Sequence, residues 1–141
     1  DAGANHSQIH EKIKDNARPD RLKLLGIALK NMVFVTKHKA AYITICQDEL
    51  DSCNYQKGDT EGFVNYGLSV AGIEMAVLMT ESKKEDMIKM SFRSKGDLAV
   101  NLFAKTYFEG GGHINAAGGK SNKSLQETEA YFLKSLATFL S

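Results

Sequence analysis

The spacing of hydrophobic and polar residues changes several times along the chain, which indicates strands interleaved with helices. Residues 87–94, MIKMSFRS, alternate strictly, and this predicts a strand with one apolar and one polar face. The polar face would carry Lys89, Ser91 and Arg93. Residues 72–80, GIEMAVLMT, are apolar at nearly every position, as expected for a strand covered on both faces. The runs MVFV and AYITIC flank the polar TKHK, so residues 32–46 are predicted to form a hairpin.

Helical periodicity dominates the first thirty residues. A capping box at Asn5 and Gln8 opens a predicted helix over residues 5–15. Asp20 is predicted to cap a second helix whose leucines share one face. These leucines are Leu22, Leu25 and Leu29. We therefore divide the chain into a helical tail and linker over residues 1–32 and a sheet-containing domain over residues 33–141.

Three further helices are predicted from their capping residues. Asp59 or Thr60 would cap a short helix, and Asp97 would cap one that ends near Lys105. Ser124 and Glu127 form a capping box before the last helix. Its inward residues would be Leu125, Phe132, Leu136 and Phe139. The polar segment 47–59 is predicted to be mostly loop. The fold class is therefore α/β, with a mixed β-sheet flanked by helices and preceded by a helical linker.

The composition is that of one ordinary globular domain. The 141 residues are 43% hydrophobic and 25% charged, with a net charge of +1, so a generally basic nucleic-acid tail is excluded. No apolar run approaches the length of a membrane span, and no signal peptide is visible. Because the chain starts at Asp1 rather than Met, we expect it to be the back part of a longer polypeptide.

The cysteines and most histidines offer little chemistry. Cys46 and Cys53 are too few for a disulfide scaffold, and we interpret them as reduced thiols of a cytoplasmic protein. His6 and His10 lie four apart on a predicted helix, but no third metal ligand accompanies them. We therefore predict no metal site and no catalytic residue in this chain.

Residues 108–119, FEGGGHINAAGG, hold five glycines and a histidine. Glycine is costly to order, so the three in succession at Gly110, Gly111 and Gly112 call for a reason. A backbone without Cβ atoms can turn several amides toward an anion. A helical turn beginning near His113 would add the positive end of its dipole. The alternative is a glycine-rich turn that His113 merely plugs.

Arg93 supplies a second group for the same predicted site. It ends a strand on the polar face, and its planar guanidinium can hold two phosphate oxygens or stack on a base. The alternative is an ordinary solvated arginine. A short predicted helix leads from Arg93 back to the glycines, so both could meet at one edge of the sheet.

These segments together resemble a known family. MSFRS followed by DLAVNLFAKTYFEGGGHINAAGG resembles the C-terminal DHH-associated domain of DHH phosphoesterases. The nearest branch is that of bacterial oligoribonucleases and 3′-phosphoadenosine 5′-phosphate phosphatases, also labelled exopolyphosphatase-related. DTEGFVNY and ARPDRLKLLGIAL are similar to segments of that branch too, so the resemblance covers nearly the whole chain.

The resemblance implies a two-domain enzyme in which manganese is held by an N-terminal domain. The present domain would bind short single-stranded RNA or a nucleoside bisphosphate. The implied substrate-binding residues are Arg93, Ser94, Gly110, Gly111, Gly112, His113 and Asn115, with Thr60 and Glu61 near the cleft. Homodimers occur among such proteins, and no membrane partner is implied.

The chain departs from the family pattern in two ways. The Asp-His-His motif is absent, so this chain alone should not hydrolyse a substrate. Glu109 also stands where family members commonly carry another glycine. A rival interpretation is a non-catalytic nucleotide- or nucleic-acid-binding module attached to another enzyme, such as a tRNA synthetase.

Overall fold

A computed structural model describes residues 18–141; the helix predicted over residues 5–15, with His6 and His10, lies outside them. The helices are α1 (Pro19–Asn31), α2 (Gln47–Ser52), α3 (Phe63–Leu68), α4 (Val100–Tyr107) and α5 (Leu125–Phe139). The strands are β1 (Val33–Val35), β2 (Ala40–Ile45), β3 (Met75–Ser82), β4 (Met87–Ser94), β5 (Gly111–His113) and β6 (Ala116–Ser121). A 3₁₀ turn over Thr36–His38 joins β1 to β2.

The six strands form one mixed sheet in the order β1-β2-β3-β4-β6-β5. Only β2 and β3 run parallel; the other neighbouring pairs are antiparallel. The predicted α/β class and the β1–β2 hairpin are therefore confirmed. The parallel pair requires a crossover, which α2 and α3 supply.

The sheet is covered unequally on its two faces. Helices α4 and α5 cover one face, where Phe92, Phe103 and Phe132 are fully buried. Helices α1, α2 and α3 cover the other face over β2 and β3, where Ile43 and Leu78 are buried. On this second face the helices end near β4, and the glycine-rich strands beyond it remain exposed.

The alternating pattern of β4 is confirmed by its burial. Ile88, Met90 and Phe92 are all buried in the core under α4 and α5. The last helix is confirmed as well: Ser124 accepts a hydrogen bond from the Glu127 amide at 3.1 Å. Phe132 and Leu136 are fully buried on its inward face.

The inward face predicted for the second helix is wrong by a small rotation. The buried residues of α1 are Leu24 and Ala28, four apart, whereas Leu22 and Leu29 are exposed. Pro19 occupies the first helical turn, as its fixed φ favours, so Asp20 lies inside the helix and does not cap it.

Three other local predictions are also wrong. Residues 47–52 form α2 instead of a loop, because the Glu49 carboxylate accepts the Cys46 amide at 3.0 Å and closes the helix start. Asp59 does not cap α3; it accepts two hydrogen bonds from the Arg18 guanidinium at 2.7 and 2.8 Å. Asp97 lies in the turn before α4, whose first amide, that of Val100, donates to the Ile114 carbonyl at 2.9 Å.

Candidate functional site

The glycine-rich stretch folds as a β-hairpin at the edge of the sheet. Strand β5 pairs with β6 in the register Gly111 with Gly118 and His113 with Ala116, and residues 114–115 make the turn. The predicted helical turn at His113 is therefore wrong, and a helix dipole contributes nothing there. Sequence periodicity could not reveal this, because short glycine and alanine strands have almost no apolar alternation.

Three glycines of the hairpin are required by packing inside the protein. A Cβ at Gly110 would lie 1.9 Å from the Gly118 carbonyl oxygen. A Cβ at Gly112 would lie 2.7 Å from the Ala116 oxygen, and its φ of +145° also disfavours a side chain. At Gly119 it would lie 2.9 Å from the Phe108 oxygen.

Gly111 and Gly118 are of a different kind. A Cβ at Gly111 would meet no atom within 4 Å, and one at Gly118 would meet only the Met90 oxygen at 3.6 Å. The two residues are paired across β5 and β6, so together they leave a patch of bare backbone facing outward. No contact among the described residues explains why both are glycine.

Arg93 and His113 share one row of the sheet next to this patch. Arg93 pairs with Ala116 across β4 and β6, and Ala116 pairs with His113 across β6 and β5. Paired residues on neighbouring strands point to the same face, so the side chains of Arg93 and His113 flank the small Ala116. Two strand spacings separate their Cα atoms by about 10 Å. Arg93 and the glycine segment therefore lie on the same face near one edge of the sheet, while their joining in one substrate site stays a prediction.

We call this uncovered region the open face. It comprises the outward residues of three adjacent strands: Lys89, Ser91 and Arg93 of β4, Ala116, Gly118 and Lys120 of β6, and Gly111 and His113 of β5. Sequence reasoning missed Ala116, Gly118 and Lys120, although their alternation in AAGGK is a weak signal. Gly111 and Gly118 leave bare backbone at its centre, so we also refer to the open face as a platform.

The open face is cationic. Within residues 18–141, no carboxylate lies within 4.0 Å of the Arg93 guanidinium or the Lys120 ammonium, whereas Lys89 is paired with Glu85. The one side-chain hydrogen bond of Arg93 in this part of the chain runs from Nη1 to the Phe92 carbonyl at 2.9 Å. Most of its donors are therefore free to meet an anion.

Ser94 and Asn115 form hydrogen bonds that hold the end of β4 next to the hairpin turn. The Ser94 hydroxyl donates to the Leu98 carbonyl at 2.6 Å and accepts from Asn115 Nδ2 at 2.9 Å. Asn115 Nδ2 also donates to the Gly96 carbonyl at 3.1 Å. Ser94 is buried, so the geometry gives both residues a positioning role. Their predicted contact with a substrate stays a prediction.

The predicted backbone amides are only partly free. The Gly110 amide donates to the Ala104 carbonyl at 3.1 Å, so it has no hydrogen to offer a ligand. Glu109 adopts a left-handed φ of +49°, which explains the suitability of glycine at that position. Thr60 and Glu61 lie in the turn before α3, where the Glu61 carbonyl accepts from Arg21 at 3.0 Å.

No group of three His, Cys, Asp or Glu side chains within residues 18–141 could hold a metal ion. No helix in the same range is long and apolar enough to cross a membrane.

The fold is thus an α/β domain in which bare glycine backbone at one sheet edge lies beside Arg93 and His113. A family model, described as the DHHA1 domain, matches residues 37–141. The chain therefore belongs to the DHHA1 family, the domain found in DHH-family phosphoesterases. No curated protein matches the chain significantly.

Two solved structures are similar to the chain. An exopolyphosphatase-related protein from Bacteroides fragilis matches with 34% identity and a TM-score of 0.88 over 95% of this chain. A pGpG-specific phosphodiesterase, PggH, from Vibrio cholerae matches with 10% identity and a TM-score of 0.59 over 84% of it, a likeness of fold alone. In both cases the chain spans 39% of the other protein.

Proposed function

We propose that this domain binds the nucleotide substrate of a DHH-family phosphoesterase that hydrolyses short oligoribonucleotides or 3′-phosphoadenosine 5′-phosphate. The proposal rests on one observation. Arg93 and His113 flank Ala116 on the open face, and no internal contact explains why its two central residues, Gly111 and Gly118, are glycine.

Each part of the platform has a chemical role in this proposal. The Arg93 guanidinium holds phosphate oxygens through two parallel hydrogen bonds. His113 donates a hydrogen bond to the same phosphate or its neighbour. The bare backbone at Gly111 and Gly118 lets the sugar or base lie directly against the sheet. Ser94 and Asn115 hold the ends of β4 and the hairpin turn in register.

The manganese implied by the family does not fit the described residues. Residues 18–141 offer no set of three metal-ligating side chains, and the Asp-His-His motif is absent from the chain. We therefore assign the metal, and the hydrolytic step that depends on it, to a preceding DHH domain. The oligoribonuclease or phosphatase branch, a cytoplasmic location and a homodimer are expectations from the resemblance.

Calorimetric titration with diadenylate RNA and with 3′-phosphoadenosine 5′-phosphate tests the proposal. Arg93→Gln should weaken binding of both by about 10- to 100-fold, since hydrogen bonds to charged groups contribute about 1.5–3 kcal/mol. His113→Gln should act in the same direction with a smaller loss. Lys134→Met, an exposed substitution on α5 over the opposite face, is the matched control and should bind normally.

Unchanged affinity in Arg93→Gln would remove the guanidinium from the site. The rival function, a non-catalytic module, predicts the same binding but no hydrolysis. Hydrolysis assays of a polypeptide that joins this chain to the proposed DHH domain separate the two, since only the phosphoesterase should consume the RNA with manganese present.

A further inference from the structure

A cleft lies at the end of the open face remote from Arg93. It has a volume of about 380 Å³, and its lining includes Leu50, Tyr55, Lys57, Thr80, Lys84 and Lys89. We call it the distal cleft. Its walls come from α2 and the following turn on one side and from the ends of β3 and β4 on the other.

The distal cleft is continuous with the open face through Lys89. Lys89 pairs with Lys120 across β4 and β6, and it shares its face of β4 with Ser91 and Arg93. Four residues of strand separate the Lys89 and Arg93 Cα atoms by about 13 Å. This distance exceeds the separation of the two phosphates of one nucleoside bisphosphate, so one ligand occupying both ends must contain several nucleotides.

The lining of the distal cleft suits a base and its phosphate. Tyr55 is 41% exposed, and its hydroxyl makes no hydrogen bond within residues 18–141. Lys57 and Lys84 are exposed, and no carboxylate of the described residues lies within 4.0 Å of either ammonium group. A flat aromatic side chain beside cations is the usual means of binding single-stranded nucleic acid.

The two carboxylates at the distal cleft are already engaged. Glu81 accepts the Gln47 amide at 2.8 Å. Glu85 is paired with Lys89 and accepts from the Ser82 hydroxyl at 3.3 Å. Glu81 therefore faces the start of α2, and Glu85 faces Lys89. With three lysines and two glutamates, the lining of the cleft carries one net positive charge.

We propose that the distal cleft is a subsite for a nucleotide two or more positions from the one held by Arg93. Tyr55 stacks on its base, and Lys57 and Lys84 contact the phosphates that lead to it. This inference rests on the proposed function and narrows it: the preferred ligand is a single-stranded oligonucleotide of about four residues, not a nucleoside bisphosphate.

The test compares the affinities of the full chain for diadenylate and tetraadenylate RNA. The wild-type chain should bind the tetranucleotide at least tenfold more tightly than the dinucleotide, in line with one added base–aromatic stack. Tyr55→Leu should abolish most of this difference without changing dinucleotide affinity, and Tyr55→Phe, which keeps the ring, should retain it.

Lys84→Met should lower tetranucleotide affinity more than dinucleotide affinity, whereas Lys134→Met on the opposite face should change neither. Equal wild-type affinities for the two RNAs, or equal losses of both in Tyr55→Leu, would overturn the distal subsite while leaving the Arg93 site in place. If Arg93→Gln leaves dinucleotide binding unaltered, the proposed function itself has failed.

Discussion

The two kinds of glycine in the hairpin should respond oppositely to the addition of one methyl group. Gly118→Ala places a Cβ in open space, with its nearest contact 3.6 Å away at the Met90 oxygen. Gly110→Ala places one 1.9 Å from the Gly118 oxygen, where a backbone atom would have to move. The two substitutions are chemically identical, so each serves as the control for the other.

The expected effects on stability differ in sign. Alanine in a strand is about 0.5–1 kcal/mol more favourable than glycine, so Gly118→Ala should unfold a few degrees higher than wild type. Gly110→Ala should lose about 1–3 kcal/mol or more, the usual cost of overpacking, and unfold lower. Thermal unfolding followed by circular dichroism measures both.

Gly118→Ala should have the opposite effect on ligand binding: the substitution should lower affinity although it raises stability. A methyl group standing between the sheet and a bound nucleotide costs about 1–3 kcal/mol, which lowers affinity about 5- to 150-fold. Gly111→Ala should behave in the same way. A folded Gly118→Ala protein that binds diadenylate as wild type does would refute the platform, and a Gly110→Ala protein as stable as wild type would refute the packing explanation.

Three further predictions concern stability. Glu109→Gly should stabilise the chain by about 1 kcal/mol in urea unfolding, because Glu109 holds a left-handed φ of +49°, whereas Glu109→Ala should give no such gain. Burial raises the pKa of Asp59, but the Gln56 amide and Arg18 outweigh it and hold this pKa below its usual value. The stability from this carboxylate is therefore present above about pH 4 and lost as the pH falls through the lowered pKa; Asp59→Asn should flatten that acid limb. Ser94→Ala should cost about 1–3 kcal/mol, since it removes a buried hydroxyl that bonds both the Leu98 carbonyl and Asn115, and near wild-type stability would contradict the positioning role.

The regular helices and strands could be predicted because the spacing of apolar residues indicates which side of each element is buried. Strict alternation identified β4 and its buried side, and a run of continuous apolar residues identified β3. Alternation alone also placed Arg93 on the polar side of β4, which the register with Ala116 confirms at the backbone level. Such patterns can be recognised within a single segment of the chain and need no knowledge of neighbouring strands.

The errors fell where a distant partner decides the local structure. Helix α2 starts because Glu49 and Glu81 accept the amides of Cys46 and Gln47, and Glu81 is 34 residues away from Gln47. Asp59 is a good capping residue by type, yet Arg18, 41 residues away, binds it. The β5–β6 hairpin depends on the close approach of two backbones, which the periodicity of the sequence does not reveal.

Glycine illustrates the same limit within the candidate site. The sequence shows that this segment is rich in glycine. Only the structure distinguishes a glycine required by packing, such as Gly110, from Gly111 and Gly118, which face outward. The position of Lys120 beside Lys89 also required the register of β4 with β6.

Nuclear magnetic resonance titration of the chain with diadenylate RNA tests the central claim most directly. The account predicts that the largest shifts occur at the backbone amides of Gly111, Gly118 and His113 and at the Arg93 side chain, with little change along α5 on the opposite face. Saturable shifts confined to α4 and α5, or a spectrum unaltered at millimolar dinucleotide, would contradict the assignment of the open face as the nucleotide-binding surface.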